Sequence, residues 1–124
     1  MFDSISHIAL VVADPARTAR LFESLFATKI VSRIDADGHD ETFFNLGNTW
    51  FVLVKGAAQR ERSGDHVAFH VTDAELHATA EKLKAKNMEF ILARSDSSLY
   101  FFDYDNHVFE LDTTDINSEF GGGG

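Results

Sequence analysis

One segment of this chain occurs twice, and the repeat restricts the fold more than any other feature. The run SHIALVVAD at Ser6–Asp14 returns 59 positions later as DHVAFHVTD at Asp65–Asp73. In each copy an apolar, β-branched run begins after a histidine and ends at an aspartate, and a helical pattern follows. The sequence therefore predicts two similar modules, each of which opens with a strand and a helix.

Each module continues from its helix into three strand-like runs. Asp14 is the predicted cap of the first helix and Pro15 its first residue, whereas the second helix is predicted to begin at Thr72 or Asp73 and to end at Asn87. The strands are predicted near residues 29–34, 41–46 and 49–55 in the first module and near 89–93, 98–103 and 107–112 in the second.

The pattern predicts an α+β fold made of two tandem βαβββ modules. Four strands and one helix cannot cover both faces of a sheet, so we expect each sheet to be mixed and curled and the two to form a funnel. We expect one domain over residues 1–116, with module one at about 5–56 and module two at about 64–112. Residues 117–124, which end in four glycines, are predicted to be a flexible tail.

The composition limits the chemistry that this fold can carry. The chain has 20 Asp and Glu against 11 Lys and Arg, six histidines and no cysteine, for a formal charge of −9. Without thiolates, any metal or acid–base chemistry depends on histidine and carboxylate. The negative charge argues against a nucleic-acid partner. Because no run approaches the ~20 apolar residues of a membrane span and no signal peptide is evident, we expect a cytoplasmic protein with no membrane partner.

Two histidines and one glutamate form the candidate metal site. The repeat places His7 and His66 at equivalent positions, and Glu110 lies on the last strand. Two imidazoles and a carboxylate suit Mn²⁺, Fe²⁺ or Zn²⁺ and leave positions open for water and substrate. The position equivalent to Glu110 in module one is Phe51, so no second carboxylate is expected there. A single histidine is more often an ordinary polar residue, and it is the repeat that favours the pair as ligands.

The other four histidines have lesser predicted roles. His70 shares a strand face with His66 and is either a neighbour of the site or a substitute ligand. We expect His39 and His77 to be exposed to solvent. His107 faces away from Glu110, where a structural hydrogen bond is the expected role.

Glu41 is the next candidate for chemistry. It begins an otherwise apolar strand and shares a face with Phe43. A carboxylate in that position is either a charge at the rim of the funnel or a general base. Spacing alone favours the rim charge.

The motifs together resemble the vicinal oxygen chelate superfamily, in particular the fosfomycin-resistance proteins of the manganese-dependent epoxide hydrolase branch. The likeness covers about residues 5–112. It is carried by Ser6-His7-Ile8, by the run GNTW at 47–50, by Glu61-Arg62-Ser63, by DHVAF at 65–69, by SLYFFD at 98–103 and by DNHVFEL at 105–111.

The resemblance implies roles for four of the residues named above. His7, His66 and Glu110 would bind the metal, with Mn²⁺ the expected ion and Fe²⁺, Zn²⁺ or Ni²⁺ the alternatives. The family's paired arrangement implies a homodimer in which His7 is donated across the interface. Glu41 falls where this branch has its general base, so the resemblance reverses the rim interpretation.

The resemblance also implies a substrate pocket for a small anion. Trp50, Ser98 and Tyr100 match positions that line the pocket and hold a phosphonate, and Arg94 is the cation near them. The chain departs from the family at Ala9, where the fosfomycin enzymes have threonine. It also has a shorter segment over residues 93–97 and no arginine after the last strand.

The implied function is the metal-dependent opening of the epoxide of a small phosphonate by water or a thiol. One alternative is another metalloenzyme of the same superfamily, either a glyoxalase-like isomerase or an iron-dependent dioxygenase. The other alternative is a metal-free protein that sequesters a drug, as the superfamily's bleomycin-resistance members do.

Overall fold

A computed structural model describes residues 2–120 of the chain. They divide into two units, one running to Arg62 together with Asp103–His107, the other comprising Ser63–Phe102 and the residues from Val108 onward. Each unit contains one four-stranded mixed sheet and one long helix. The predicted α+β fold of two βαβββ modules is confirmed.

The first unit follows the predicted order of elements closely. Its sheet has the order β1-β4-β3-β2, with β1 parallel to β4 and the other pairs antiparallel. The observed strand limits differ from the predicted ones by at most one residue. The elements are β1 (His7–Val12), α1 (Pro15–Phe26), β2 (Ile30–Ile34), β3 (Asp40–Leu46) and β4 (Thr49–Lys55).

Helix α1 covers one face of this sheet. The side chain of Asp14 caps it by accepting a hydrogen bond from the Arg17 backbone N–H at 3.2 Å. On its buried face, the Phe22 ring stacks on Phe44 at a centroid distance of 4.5 Å, and Phe44 stacks on Phe51 at 5.1 Å. Because successive strand residues point to opposite faces, this stack leaves the other face of the sheet for the site.

The second unit repeats the plan. Its sheet has the order β5-β8-β7-β6, with β5 parallel to β8. Among the residues described, no helix is both long enough and apolar enough to span a membrane. The elements are β5 (His66–His70), α2 (Asp73–Ala85), β6 (Phe90–Ala93), β7 (Ser98–Phe102), β8 (Val108–Asp112) and α3 (Ile116–Glu119).

The end of the chain differs in part from the predicted flexible tail. Ile116–Glu119 forms one helical turn, α3, capped by the side chain of Asp115, which accepts from the Asn117 N–H at 3.0 Å. The predicted boundary at 116 therefore cuts into a helix. Residues 121–124 lie outside the described part of the chain.

The loop Asp103–His107 is held by one buried carboxylate. Asp103 Oδ1 accepts the backbone N–H groups of Asp105 and His107, each at 2.9 Å, and Asp103 Oδ2 lies 2.7 Å from His107 Nδ1. Asp105 Oδ1 in turn accepts the Ala13 N–H at 2.9 Å. The expected structural hydrogen bond of His107 is confirmed.

The N-terminus of α2 provides a test of local stability. Thr72 Oγ1 accepts the Glu75 N–H at 3.1 Å, and Glu75 Oε1 accepts the Thr72 N–H at 2.8 Å, which completes a capping box. Thr72→Ala is expected to lower the free energy of unfolding by about 1 kcal/mol in urea denaturation, because one helix N–H loses its acceptor. Thr72→Ser keeps the hydroxyl and is the control; an equal loss in both variants would contradict the assignment.

Candidate active site

The face of the first unit's sheet opposite α1 carries a cavity of about 460 Å³. Phe43 and Val52 line it, and they alternate with Phe44 and Phe51, which lie under α1 on the opposite face. The volume is within the ~300–1,000 Å³ typical of small-molecule pockets. The cavity is therefore large enough for a small organic substrate.

Glu41 lines this cavity, and one of its oxygens has a fixed partner. Arg33 lies directly opposite Glu41 in the β2–β3 pair, and its Nε donates to Glu41 Oε1 at 2.9 Å. The Arg33 guanidinium also lies 5.0 Å above the Phe43 ring. The Glu41 side chain is only 25% exposed. Arg33 was missed by the sequence analysis, because a cross-strand partner is evident only once the register is known.

His7 and Trp50 occupy the same cavity. They are opposite each other in the β1–β4 pair, and His7 Nδ1 lies 3.0 Å from Ser6 Oγ. The Trp50 indole meets the Phe43 ring edge-on, with centroids 6.4 Å apart. The first unit thus gathers an imidazole, a carboxylate, a guanidinium and an indole around one space.

The second unit brings His66 and Glu110 together. His66 Nδ1 lies 2.9 Å from the Gly64 carbonyl oxygen, which only accepts, so the ring hydrogen is at Nδ1. His66 Nε2 lies 3.0 Å from Glu110 Oε1, and Glu110 is only 4% exposed. When the imidazole is neutral and the carboxylate is ionised, His66 Nε2 and Glu110 Oε1 are both acceptors. A proton or a cation must therefore lie between them. Imidazole nitrogen and carboxylate oxygen are suitable ligands for a divalent cation, and the pair therefore fits a metal ion.

The other oxygen of Glu110 has separate partners. Ser98 Oγ donates to Glu110 Oε2 at 3.1 Å, and Arg94 Nη2 contacts the same oxygen. Arg94 Nη2 also lies 3.4 Å from Asp112 Oδ2. The buried carboxylate is thus compensated on its Oε2 side by a guanidinium and a hydroxyl.

Tyr100 forms the wall beside this pair. It is opposite Glu110 in the β7–β8 register, and its ring meets His66 edge-on with centroids 5.5 Å apart. Burial raises the pKa of the Tyr100 hydroxyl, and the nearby negative charge of Glu110 raises it further. The hydroxyl therefore stays protonated at neutral pH, with the Glu110 carboxylate as a hydrogen-bond partner.

The structure thus groups the predicted site residues in two sets. The first unit holds His7, Glu41 and Trp50 around its cavity. The second unit holds His66 and Glu110 in contact, with their neighbours Arg94, Ser98 and Tyr100. His70 is exposed on the same strand as His66, opposite Asp112.

A different group of possible metal ligands lies in the β2–β3 loop. Ligand atoms of Asp35, Asp37 and His39 are within 4.8 Å of one another. No other set of three or more His, Asp or Glu side chains in the described residues is this close together. Asp35 Oδ1 accepts the His39 and Asp37 N–H groups at 2.8 and 2.9 Å, and the His39 N–H makes the larger contribution to lowering the Asp35 pKa. The turn itself accounts for this cluster. His39 and His77 are exposed, as predicted.

Comparison with known sequences relates most of the chain to one superfamily. The profile of the Glyoxalase/Bleomycin resistance protein/Dioxygenase superfamily matches residues 4–111. The fosfomycin resistance protein FosX of Listeria innocua is 34% identical over 122 residues, which cover 90% of this chain and 90% of that protein. The metallothiol transferase FosB of Staphylococcus saprophyticus is 28% identical, over 91% of this chain and 78% of that protein.

Solved structures give the same relationship. FosX from Mesorhizobium loti has a TM-score of 0.82 at 30% identity, over 98% of this chain and 99% of that one. A glutamate-to-glutamine variant of FosX from Listeria monocytogenes, complexed with Mn(II) and dihydroxypropylphosphonic acid, has a TM-score of 0.82 at 29% identity, over 97% of both chains.

Proposed function

Because this chain belongs to the Glyoxalase/Bleomycin resistance protein/Dioxygenase superfamily, we propose that it is a divalent-metal-dependent enzyme that opens the epoxide of fosfomycin by adding water. The observation that carries the proposal is the contact of His66 Nε2 with the buried Glu110 Oε1 at 3.0 Å, with the ring hydrogen engaged at Nδ1. The FosX relatives support the substrate. The dihydroxypropylphosphonic acid bound to one of them is the diol that water addition to fosfomycin would form.

His66 and Glu110, with His7 as the third ligand, are the residues that would hold the metal. Mn²⁺ is the proposed ion, since a FosX relative binds it, and Fe²⁺, Zn²⁺ or Ni²⁺ suit the same nitrogen and oxygen ligands. When bound, the ion would supply Lewis acidity toward the epoxide oxygen and attraction for the phosphonate. We further propose that His7 comes from the second copy of a homodimer, as the family's paired arrangement implies.

Glu41 is the proposed general base. Arg33 holds Glu41 Oε1, which leaves Oε2 to accept a proton from the attacking water. The water oxygen forms a bond to an epoxide carbon while that carbon's bond to the ring oxygen breaks. The ring oxygen then takes up a proton from solvent while Glu41 releases the one it accepted, so the product is a diol with the carbon–phosphorus bond intact.

Three side chains are proposed to contact the substrate, and a fourth supports them. Trp50 offers an apolar surface that is 42% exposed, and Tyr100 offers a protonated hydroxyl. The Arg94 side chain is 56% exposed, so those of its N–H groups that do not contact Ser98, Glu110 or Asp112 are available to an anion. Ser98, which was expected to hold the phosphonate, is 0% exposed beneath Arg94 and supports this wall from inside the sheet.

The product formed from fosfomycin tests the reaction type. With Mn²⁺ and no thiol, we expect phosphorus NMR and mass spectrometry to show one product heavier than fosfomycin by one water, because Glu41 activates water. Adding glutathione or cysteine is expected to leave that product unchanged, and removing the metal with a chelator is the control. No turnover with any nucleophile would contradict the proposed function.

Thiol transfer is the second candidate, and the 28% identical FosB relative favours it. A product that contains the added thiol, with little reaction in water alone, would assign the chain to that activity. Activity that depends on Fe²⁺ and oxygen would instead indicate a dioxygenase. Ligand binding that is unaffected by metal removal would indicate a sequestering protein.

A further inference from the structure

The two oxygens of the Glu110 carboxylate have different surroundings. Oε1 lies 3.0 Å from His66 Nε2, whereas Oε2 accepts a hydrogen bond from Ser98 Oγ at 3.1 Å and contacts Arg94 Nη2. The residue is 4% exposed, so water cannot readily replace either set of partners. Turning the carboxylate would break both sets at once, and its orientation is therefore fixed.

The Ser98 hydroxyl is fully committed to this arrangement. Ser98 is 0% exposed, and a hydroxyl has a single hydrogen to donate. That hydrogen goes to Glu110 Oε2, while the Ser98 oxygen accepts from Arg94 Nε at 2.9 Å. A buried hydroxyl with its hydrogen already used acts on Glu110 rather than on a ligand outside the sheet.

Arg94 is held at both its backbone and its guanidinium. It is the first of three consecutive non-glycine residues with positive φ, at 51°, 55° and 63°. Such a backbone is unfavourable unless its surroundings hold it, and here Ser97 Oγ donates to the Arg94 carbonyl at 2.7 Å. The tight turn places the Arg94 guanidinium in contact with Ser98 and Glu110.

We propose that Ser98 and Arg94 are positioning residues, which hold Oε2 of Glu110 so that Oε1 is presented beside His66 Nε2 as a metal ligand. The inference rests on the proposed function in that Glu110 is taken as a ligand. Partners that orient a ligating carboxylate affect metal affinity without touching the metal. The two residues thereby set the affinity of the centre for its ion.

The positive charge of Arg94 supplies a competing hypothesis, and the two hypotheses predict opposite changes in metal affinity. A guanidinium that competed with the metal for Glu110 would weaken metal binding, so its removal would strengthen it. The contacts favour positioning, because Arg94 engages Oε2 and leaves Oε1 facing His66.

Mn²⁺ affinity, measured from the electron paramagnetic resonance signal of the free ion, tests the proposal. Ser98→Ala and Arg94→Gln are each expected to weaken Mn²⁺ binding by about tenfold, the lower end of the effect of losing an outer partner. Ser24→Ala and Arg60→Gln make the same chemical changes at exposed positions away from Glu110 and are expected to bind as the wild type does. Arg94→Lys keeps the charge but lacks the fork of donors, and we expect an intermediate affinity.

Tighter or unchanged Mn²⁺ binding in these variants overturns the inference. Tighter or unchanged binding in Arg94→Gln would show competition or no role, and unchanged binding in Ser98→Ala would remove the hydroxyl from the scheme. If Arg94→Gln does not fold, as judged by circular dichroism without metal, the smaller change Ser98→Ala decides. A wild type that binds no Mn²⁺ overturns both this inference and the proposed metal site. A wild type that binds Mn²⁺ but leaves fosfomycin intact overturns only the proposed substrate, and the affinity series still applies.

Discussion

Glu41→Gln is expected to lower kcat for fosfomycin hydrolysis by about a thousandfold, within the range that a positioned general base contributes. Glutamine has the size of glutamate and can still accept the Arg33 hydrogen bond, which in the wild type is 2.9 Å long. It cannot take a proton from water at neutral pH. Because Glu41 is not a proposed metal ligand, Mn²⁺ affinity is expected to be unchanged.

The measurement is the initial rate of diol formation by phosphorus NMR at saturating Mn²⁺. Glu23→Gln, on the exposed side of α1, makes the same chemical change away from the cavity and is expected to retain full activity. Activity of Glu41→Gln close to that of the wild type would mean that another group removes the proton, and Glu41 would then be a rim charge after all.

His66→Ala is expected to weaken Mn²⁺ binding by at least about a hundredfold, since loss of a ligand costs more than loss of an outer partner. The substitution removes the nitrogen that lies 3.0 Å from Glu110 Oε1 and leaves a buried carboxylate facing a gap. Hydrolysis at a fixed, low Mn²⁺ concentration is expected to fall in parallel with binding.

His77→Ala is the matched control, because His77 is on α2 with a side chain that is 61% exposed. It is expected to bind Mn²⁺ and turn over substrate as the wild type does. Metal affinity and rate that survive in His66→Ala would exclude His66 as a ligand. A loss of rate with intact affinity would instead place His66 in proton transfer or substrate binding.

The fold was largely predictable because its signals are local. The Asp14-Pro15 pair at the start of α1 and the Thr72–Glu75 capping box mark helix ends by chemistry within a few residues. The limits of β4 agree with the prediction at both ends. The single turn α3 was missed, because a four-residue helix has too few positions for a periodic pattern.

The site was predictable only in part. The repeat singled out His7 and His66, and the absence of cysteine limited the ligands to nitrogen and oxygen. Spacing alone did not decide the place of Glu41, because a strand pattern does not reveal what lies opposite each residue. The register that pairs Glu41 with Arg33 also places both in the cavity.

The sequence by itself determined the two modules, the strands that carry the histidines and carboxylates, and the class of metal that such ligands suit. Only the tertiary structure decided which atoms meet. His66 and Glu110 are 44 positions apart and come into contact because β5 pairs in parallel with β8. Ser98 reaches the other oxygen of Glu110 because β7 pairs with β8 on its far side. These contacts depend on how strands far apart in the sequence are paired and aligned. Hydrophobic periodicity identifies each strand but does not say which strand it pairs with or in which register.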